Sequence, residues 1–134
     1  MSKFMNNLLL KYTGDLRNYG VLKNFTHKSV FQNYTCGDKV KIYLKINKGI
    51  INKISYETES CLICQASCSI LSEYLKNKKL SNALINIELF INFILKKKKC
   101  LNGKWNKFKF LFNKNYFNRK NCLLVPFNAI IKLK

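Results

Sequence analysis

The fold is decided by residues 39–57, which run KVKIYLKINKGIINKISYE. Apolar and polar side chains alternate from Lys39 to Ile46, which is the period of a strand with one buried face. Asn47-Lys48-Gly49 then supplies a turn, because glycine adopts positive φ at little cost. Residues 50–57 are rich in β-forming side chains. The pattern therefore predicts a β-hairpin.

Other segments predict what surrounds this hairpin. Lys28–Gln32 is a candidate third strand. Apolar spacing and capping residues predict four helices. They are Met1–Tyr12, a helix that begins at Cys61 behind a Ser60 N-cap, a helix to about Leu95 for which Ser81 is the candidate cap, and a short helix around Pro126. We predict an α+β fold, with helices packed on one face of a small antiparallel sheet of about three strands. No repeat or linker interrupts residues 1–134, so a single domain is expected.

The composition favours a soluble cytoplasmic protein. Apolar residues make up 48% of the 134 residues, enough for one packed core. The apolar run near the N-terminus, Leu8-Leu9-Leu10, is too short for an export signal. Residues 83–95 are too short for a membrane span and contain polar side chains. In a reducing compartment the six cysteines are expected to be thiols, because disulfides rarely persist there.

The formal charge of +19 raises the alternative of a basic nucleic-acid-binding module. Residues 104–112, KWNKFKFLF, interleave cations with aromatic rings as single-strand binders do. Arg17 and Arg119 are nevertheless the only arginines, and the abundant Lys, Asn, Ile and Phe have A/T-rich codons. Codon bias explains such a composition without a nucleic-acid partner. Salt-sensitive binding that is lost on substitution of Lys104, Lys107 and Lys109 would favour the nucleic-acid alternative.

Two cysteines and a carboxylate are expected to meet at one end of the hairpin. Cys36 precedes the turn by about as many residues as Cys61 follows it, so antiparallel pairing returns both thiols and Asp38 to the same end. Cys61 lies where a strand becomes a helix, and the helix dipole is expected to lower its pKa. Tetrahedral zinc needs a fourth ligand, for which Cys100, Cys122 and His27 all remain candidates.

Four blocks of the sequence resemble one family, the NifU N-terminal/IscU/SufU iron–sulfur assembly proteins. Residues 33–38, NYTCGD, resemble its Asn-Pro-x-Cys-Gly-Asp motif. Residues 61–69, CLICQASCS, are similar to its Gly-Cys-x-Ile-x-x-Ala-Ser-x-Ser motif. Residues 17–20, RNYG, and 119–122, RKNC, resemble its early Arg-Asn-x-Gly segment and its third cysteine block. The SufU branch fits best, because Asn121 stands where the IscU branch has histidine and a Leu-Pro-Pro-Val-Lys segment is missing.

The resemblance implies a function as well as a fold. Zinc would be held by Cys36, Asp38, Cys61 and Cys122. Cys36 would accept a persulfide from a partner SufS-like cysteine desulfurase after that partner displaces a ligand, and the sulfur would pass to a downstream iron–sulfur scaffold. Arg119 would serve partner docking or persulfide stabilisation. The chain would then be a sulfur-transfer partner of the desulfurase rather than a stand-alone catalyst. The alternative on the same residues is a transient scaffold for a [2Fe–2S] cluster.

The chain also departs from the family pattern. Tyr34 replaces a proline, and Thr58 and Ser60 replace glycines, which removes φ freedom on the approach to Cys61. Cys64 and Cys68 follow Cys61 at helical spacing, and we predict that they pack in the core.

Overall fold

The computed structural model of the chain describes residues 3–96, Phe108 and residues 120–133. Three strands and five helices are described. In chain order they are α1 (Lys3–Thr13), β1 (His27–Gln32), β2 (Lys39–Asn47), β3 (Ile50–Glu59), α2 (Leu62–Leu75), α3 (Leu80–Lys96), α4 (Lys120–Leu123) and α5 (Val125–Ile131). None of the helices in these ranges has both the length and the apolar character that crossing a membrane requires.

The predicted hairpin is formed by β2 and β3. Lys48 and Gly49 make its two-residue turn, and both have positive φ, +52° and +78°, as tight hairpin turns require. The predicted third strand is β1, which pairs antiparallel with β2 and gives the order β1-β2-β3. The prediction of a three-stranded antiparallel α+β fold is confirmed.

The core lies between one face of the sheet and the helices. Val40, Ile42 and Leu44 point from β2 into this face and are fully or almost fully buried, while α2 and α5 pack against the sheet. Aromatic rings extend the core toward α3: the rings of Phe90 and Phe127 stack with centroids 4.5 Å apart. Because α5 contacts both β1 and β2, the C-terminal segment is fixed to the sheet.

Two helix starts differ from the prediction. The N-cap of α2 is Cys61, with φ −71° and ψ 167°, and its side chain makes no capping hydrogen bond. Ser60 lies one residue before the cap, and its hydroxyl is bound to the hydroxyl of Thr58 at 2.7 Å. α3 begins at Leu80, so Ser81, the predicted cap, lies inside its first turn. The single turn α4 was not predicted, whereas α5 carries the expected proline in its first turn.

The early Arg-Asn-x-Gly segment lies along β3, on the edge away from β2. Tyr56 donates its N–H to the carbonyl of Asn18 at 2.9 Å and accepts the N–H of Gly20 at 2.8 Å. Asn18 is buried, and its side-chain amide donates to Ser72 in α2 at 3.0 Å. The motif therefore joins the connection after α1 to both the sheet and α2.

Candidate metal centre

The loop between β1 and β2, which carries Cys36 and Asp38, bends sharply at Gly37. Gly37 donates to the carbonyl of Asn33 at 2.7 Å, and Asn33 donates to the carbonyl of Asp38 at 2.8 Å. Gly37 has φ +80°, a backbone conformation that is unfavourable for residues other than glycine. The loop leaves Cys36 exposed while Asp38 is buried, with 5% of its surface accessible.

Cys122 reaches the same place from the other end of the chain. Cys122 belongs to the single turn α4, and 4% of its surface is exposed. The sulfur atoms of Cys36 and Cys122 are 3.7 Å apart although 86 residues separate them in sequence. One ligand atom from each of Cys36, Asp38 and Cys122 lies within 4.8 Å of the other two. Three donors from two distant segments thus converge on one small volume.

Cys61 lies beside this group, against Asp38. The backbone N–H of Cys61 donates to Oδ1 of Asp38 at 3.2 Å, and its thiol is 3.4 Å from Oδ2. Asp38 therefore contacts the thiol at the start of α2 as well as belonging to the three-residue group. The structure thus groups three of the four residues that the resemblance implied as ligands, and the fourth, Cys61, contacts Asp38.

Two thiols of this cluster, those of Cys61 and Cys122, have a raised pKa and are harder to ionise than free cysteine. Burial raises the pKa of Cys61, and the carboxylate of Asp38 raises it further. The backbone N–H of Cys64 lowers the pKa of Cys61, but the loss of solvation outweighs it. The backbone at the helix start thus acts in the expected direction, but the expectation of a lowered Cys61 pKa is wrong because the net shift is upward. Burial likewise raises the pKa of Cys122, with smaller contributions from the neighbouring Cys61 and Asp38.

This donor set suits a thiophilic divalent cation. Crowded thiols and a carboxylate repel one another once ionised, and a divalent cation at their centre replaces this repulsion by attraction. Three sulfur donors and one carboxylate oxygen match the four-coordinate tetrahedral preference of zinc. The chemistry of the residues therefore fits the group that the resemblance implied.

Two replaced glycines are accommodated without strain. Neither Thr58 nor Ser60 is among the described residues with positive φ. The hydroxyl of Thr58 donates to the carbonyl of Lys39 at 2.7 Å, and the side chain of Gln65 donates to the carbonyl of Ser60 at 2.9 Å. These bonds hold the segment that leads to Cys61.

The other candidate residues lie elsewhere. His27 pairs with Leu44 in the sheet, and its Nδ1 is 2.8 Å from the hydroxyl of Thr26. Gln32 ends β1 on the side that leads to Cys36, and His27 lies five residues before it. At the usual rise of a strand, this places His27 about 17 Å from that end of β1. Cys64 and Cys68 are buried in the core, as predicted. Arg119, Cys100 and the lysines at 104, 107 and 109 lie outside the described residues.

Ser67 is a contributor that the sequence reasoning missed. Its fully buried hydroxyl donates to the carbonyl of Leu123 at 2.6 Å, next to Cys122. This bond joins the middle of α2 to the turn that carries the third thiol. The feature of the sequence that could have indicated this role is the Ala-Ser pair in residues 61–69. This pair belongs to the family motif around Cys61 but bears no thiol or carboxylate.

Comparisons with known proteins point the same way. Residues 5–104 match the family model described as NifU-like N terminal domain. The zinc-dependent sulfurtransferase SufU of Bacillus subtilis is 32% identical over 74 residues, 55% of this chain and 50% of that protein. The iron–sulfur cluster assembly scaffold protein IscU of Thermotoga maritima is 29% identical over 80 residues, 60% of this chain and 56% of that protein. The chain thus spans about half the length of the curated relatives it matches.

Solved structures share the fold over nearly the whole chain. A candidate iron–sulfur cluster assembly scaffold for the SUF system of Fervidobacterium islandicum superposes with a TM-score of 0.83 at 25% identity, covering 97% of this chain and 93% of that one. The N-terminal part of a NifU-like protein from Brucella abortus superposes with a TM-score of 0.80 at 21% identity, covering 95% and 89%. The second likeness concerns the fold alone. With its family motifs, its sheet and its matched residues in agreement, the chain belongs to the NifU-like N-terminal domain family.

Proposed function

We propose that this chain is an iron–sulfur cluster assembly protein of the SufU branch that accepts sulfur from a SufS-like cysteine desulfurase. In this proposal Cys36, Asp38, Cys61 and Cys122 hold a zinc ion, and Cys36 receives the sulfur. A downstream iron–sulfur scaffold is the recipient. The observation that carries the proposal is the convergence of Cys36, Asp38 and Cys122 within 4.8 Å. The similarity to the zinc-dependent sulfurtransferase SufU of B. subtilis supports it.

Exposure distinguishes the acceptor from the other thiols. Cys36 is exposed, whereas Cys122 is buried and Cys61 is half-buried against Asp38. A large partner can bring its own cysteine only to a sulfur at the surface, so Cys36 is the acceptor. Its thiolate attacks the outer sulfur of the partner's persulfide. The partner's S–S bond breaks, the partner's cysteine leaves as a thiolate, and Cys36 carries the persulfide.

Two of the other proposed ligands lie beneath Cys36, in the interior of the protein. Asp38 and Cys122 are almost fully buried, so they hold a fixed geometry under the exposed acceptor. Bound zinc would keep the thiols deprotonated at neutral pH. Arg119 is proposed to dock the partner or to stabilise the persulfide, and the support for that role is its place in the third cysteine block.

Metal analysis and a Cys36→Ala variant test this function. Protein purified without added metal should carry one zinc per chain, and it should stimulate a SufS-like cysteine desulfurase. Cys36→Ala should abolish the stimulation. Cys68→Ala is the matched control, because it removes a thiol that is buried in the core on α2, and it should stimulate normally. Full stimulation by the Cys36→Ala variant would reject the proposal.

A second candidate uses the same residues as a transient scaffold for a [2Fe–2S] cluster. It is favoured by the similarity to the T. maritima scaffold protein IscU and by the three thiols around Asp38. Anaerobic incubation with iron and sulfide should then give thiolate-to-iron charge-transfer absorption that Cys36→Ala or Cys122→Ala removes. A colourless product that retains only zinc counts against this candidate.

A further inference from the structure

The sulfurs of Cys36 and Cys122 form a contact pair with one member at the surface and the other beneath it. They are 3.7 Å apart, and a disulfide of about 2.05 Å needs them to approach by roughly 1.7 Å more. Cys36 lies in the loop between β1 and β2, and the Cys122 residue is only 4% exposed. Cys36 is the proposed acceptor and its sulfur contacts that of Cys122, so this pair is the candidate for thiol exchange.

We propose that Cys122 is a resolving thiol, which attacks the Cys36 persulfide and releases its outer sulfur as hydrosulfide. The inference rests on the proposed function, in which Cys36 carries that persulfide. It adds a further activity: the chain's own pair of thiols reduces the sulfur that it has received, so that the product is sulfide rather than a transferable persulfide.

The geometry selects the sulfur that is attacked. A partner approaches Cys36 from solvent, so the added outer sulfur lies on the solvent side of the Cys36 Sγ. Cys122 Sγ lies on the buried side and contacts that same Cys36 Sγ. Thiol exchange proceeds by attack of one sulfur on another with the leaving sulfur opposite. Attack from below on the inner sulfur therefore expels the outer sulfur toward solvent.

The step balances without a cofactor. A bond forms between Cys122 Sγ and Cys36 Sγ, and the bond between Cys36 Sγ and the outer sulfur breaks. The outer sulfur takes both electrons of the broken bond and leaves as hydrosulfide, with the proton that the Cys122 thiol carries in the metal-free site. The pair of thiols supplies the two electrons as it becomes a disulfide. A thiol reductant must then reduce this disulfide before the next turnover.

Chemical loading of Cys36 tests this step without a desulfurase. The full chain is incubated anaerobically with glutathione persulfide, both as purified and after treatment with a chelator, and excess reagent is removed. We expect release of hydrosulfide and a disulfide between Cys36 and Cys122 in peptide mass analysis. In Cys122→Ser, release should be about tenfold slower or more, with the extra sulfur retained on Cys36 until a thiol is added. Cys68→Ser, which alters a buried thiol of the core, should behave like the wild type.

The outcomes separate this inference from the proposed function. Hydrosulfide release at the wild-type rate from Cys122→Ser overturns it, as does a disulfide that links Cys36 to Cys61. Absence of a Cys36–Cys122 disulfide in the wild type, both with and without chelator, also overturns it and requires no folded variant. Failure of the desulfurase to load Cys36 would reject the proposed function alone, since the reagent loads the thiol independently.

Discussion

Gly37 determines how Cys36 and Asp38 are presented, although it is not a candidate ligand. Its φ of +80° lies in the left-handed region, and a Cβ built there meets no atom within 4 Å. A substitution at this residue therefore strains only the backbone. Gly49, in the hairpin turn, has nearly the same φ of +78° and is equally open. The two glycines form a matched pair, with one at the site and the other at the opposite end of the hairpin.

Replacement of each glycine by alanine should separate stability from metal binding. Gly37→Ala and Gly49→Ala should each lower the free energy of unfolding by about 1–2 kcal/mol, because both place a Cβ in the left-handed region. Only Gly37→Ala should lose zinc faster to a chelator, since only that loop carries Cys36 and Asp38. Urea unfolding and chelator competition measure the two effects. Equal zinc retention in both variants would contradict this role for Gly37.

At the residue scale, the sequence predicted which side chains meet but not their ionisation. The equal spacing of Cys36 and Cys61 from the turn predicted that they return to one end of the hairpin. The position of Cys61 at a helix start predicted a lowered pKa, whereas its burial raises the pKa. Burial depends on α4 and on the loop that carries Asp38, and neither is encoded in the residues adjacent to Cys61.

At the element scale, α2 positions two of the four candidate ligands. Cys61 is its N-cap, and Ser67, two turns further on, donates to the carbonyl of Leu123 beside Cys122. Ser72, in the same helix, is also buried and donates to the carbonyl of Ser69 at 2.9 Å. Both serines are buried and hydrogen-bonded, but Ser72 is bonded to the side chain of Asn18, whereas Ser67 is bonded to the turn of the third thiol.

Ser67→Ala should therefore weaken metal binding as well as stability. It leaves the Leu123 carbonyl without this donor, which should lower the free energy of unfolding by about 1–3 kcal/mol. Zinc should be lost to a chelator more readily because the Cys122 turn is less well fixed. Ser72→Ala is the control: it should cost similar stability while zinc retention is unchanged. Ser67→Ala protein that retains zinc like the wild type would show that this bond stabilises the fold alone.

The elements differed in how well the sequence predicted them. Strict alternation and a glycine turn predicted β2 and β3 to within two residues at each end. The turn α4 was missed because four residues after a basic stretch carry no helical period. Serine is common at N-caps and Ser60 was therefore the predicted cap of α2, but the helix begins one residue later, behind Cys61. Convergence of Cys122 on Cys36 came from the family resemblance, since spacing alone left three candidates.

At the scale of the whole molecule, few acidic residues balance a large positive charge. The chain has 25 basic and 6 acidic residues. Two cations lie close to the carboxylate of Glu73 in α2. Lys76 Nζ is 2.7 Å from this carboxylate, and Arg17 Nη1 is 3.1 Å from it. A hydrogen bond from Lys76, followed by one from Asn18, lowers the pKa of Glu73. This carboxylate links the segment after α1 to the helix that carries Cys61.

The lowered pKa fixes the sign of a pH effect on stability. Because the Glu73 pKa is lower in the folded protein, its stabilisation is present above the unfolded value of 4.5 and is lost as pH falls through the folded value. Glu73→Gln should unfold at a lower temperature than the wild type at pH 7, and the difference should shrink at pH 3. Glu59→Gln removes the same charge from an exposed position. A Glu73→Gln difference that persists at pH 3, or one that Glu59→Gln matches at pH 7, would contradict this account.

The tip of the hairpin is tied to the connection between α2 and α3. Ile51 exchanges backbone hydrogen bonds with that connection, donating to Lys78 at 2.9 Å and accepting from Asn77 at 2.8 Å, and Leu80 donates to Gly49 at 2.8 Å. The sheet is thus clamped at the end remote from the sulfurs. Removal of an ion bound as proposed would then loosen one extremity only, and amide hydrogen exchange would quicken around Cys36 while the opposite extremity stayed protected. Such a polarised architecture would let the extremity that carries Cys36 open and close again without refolding.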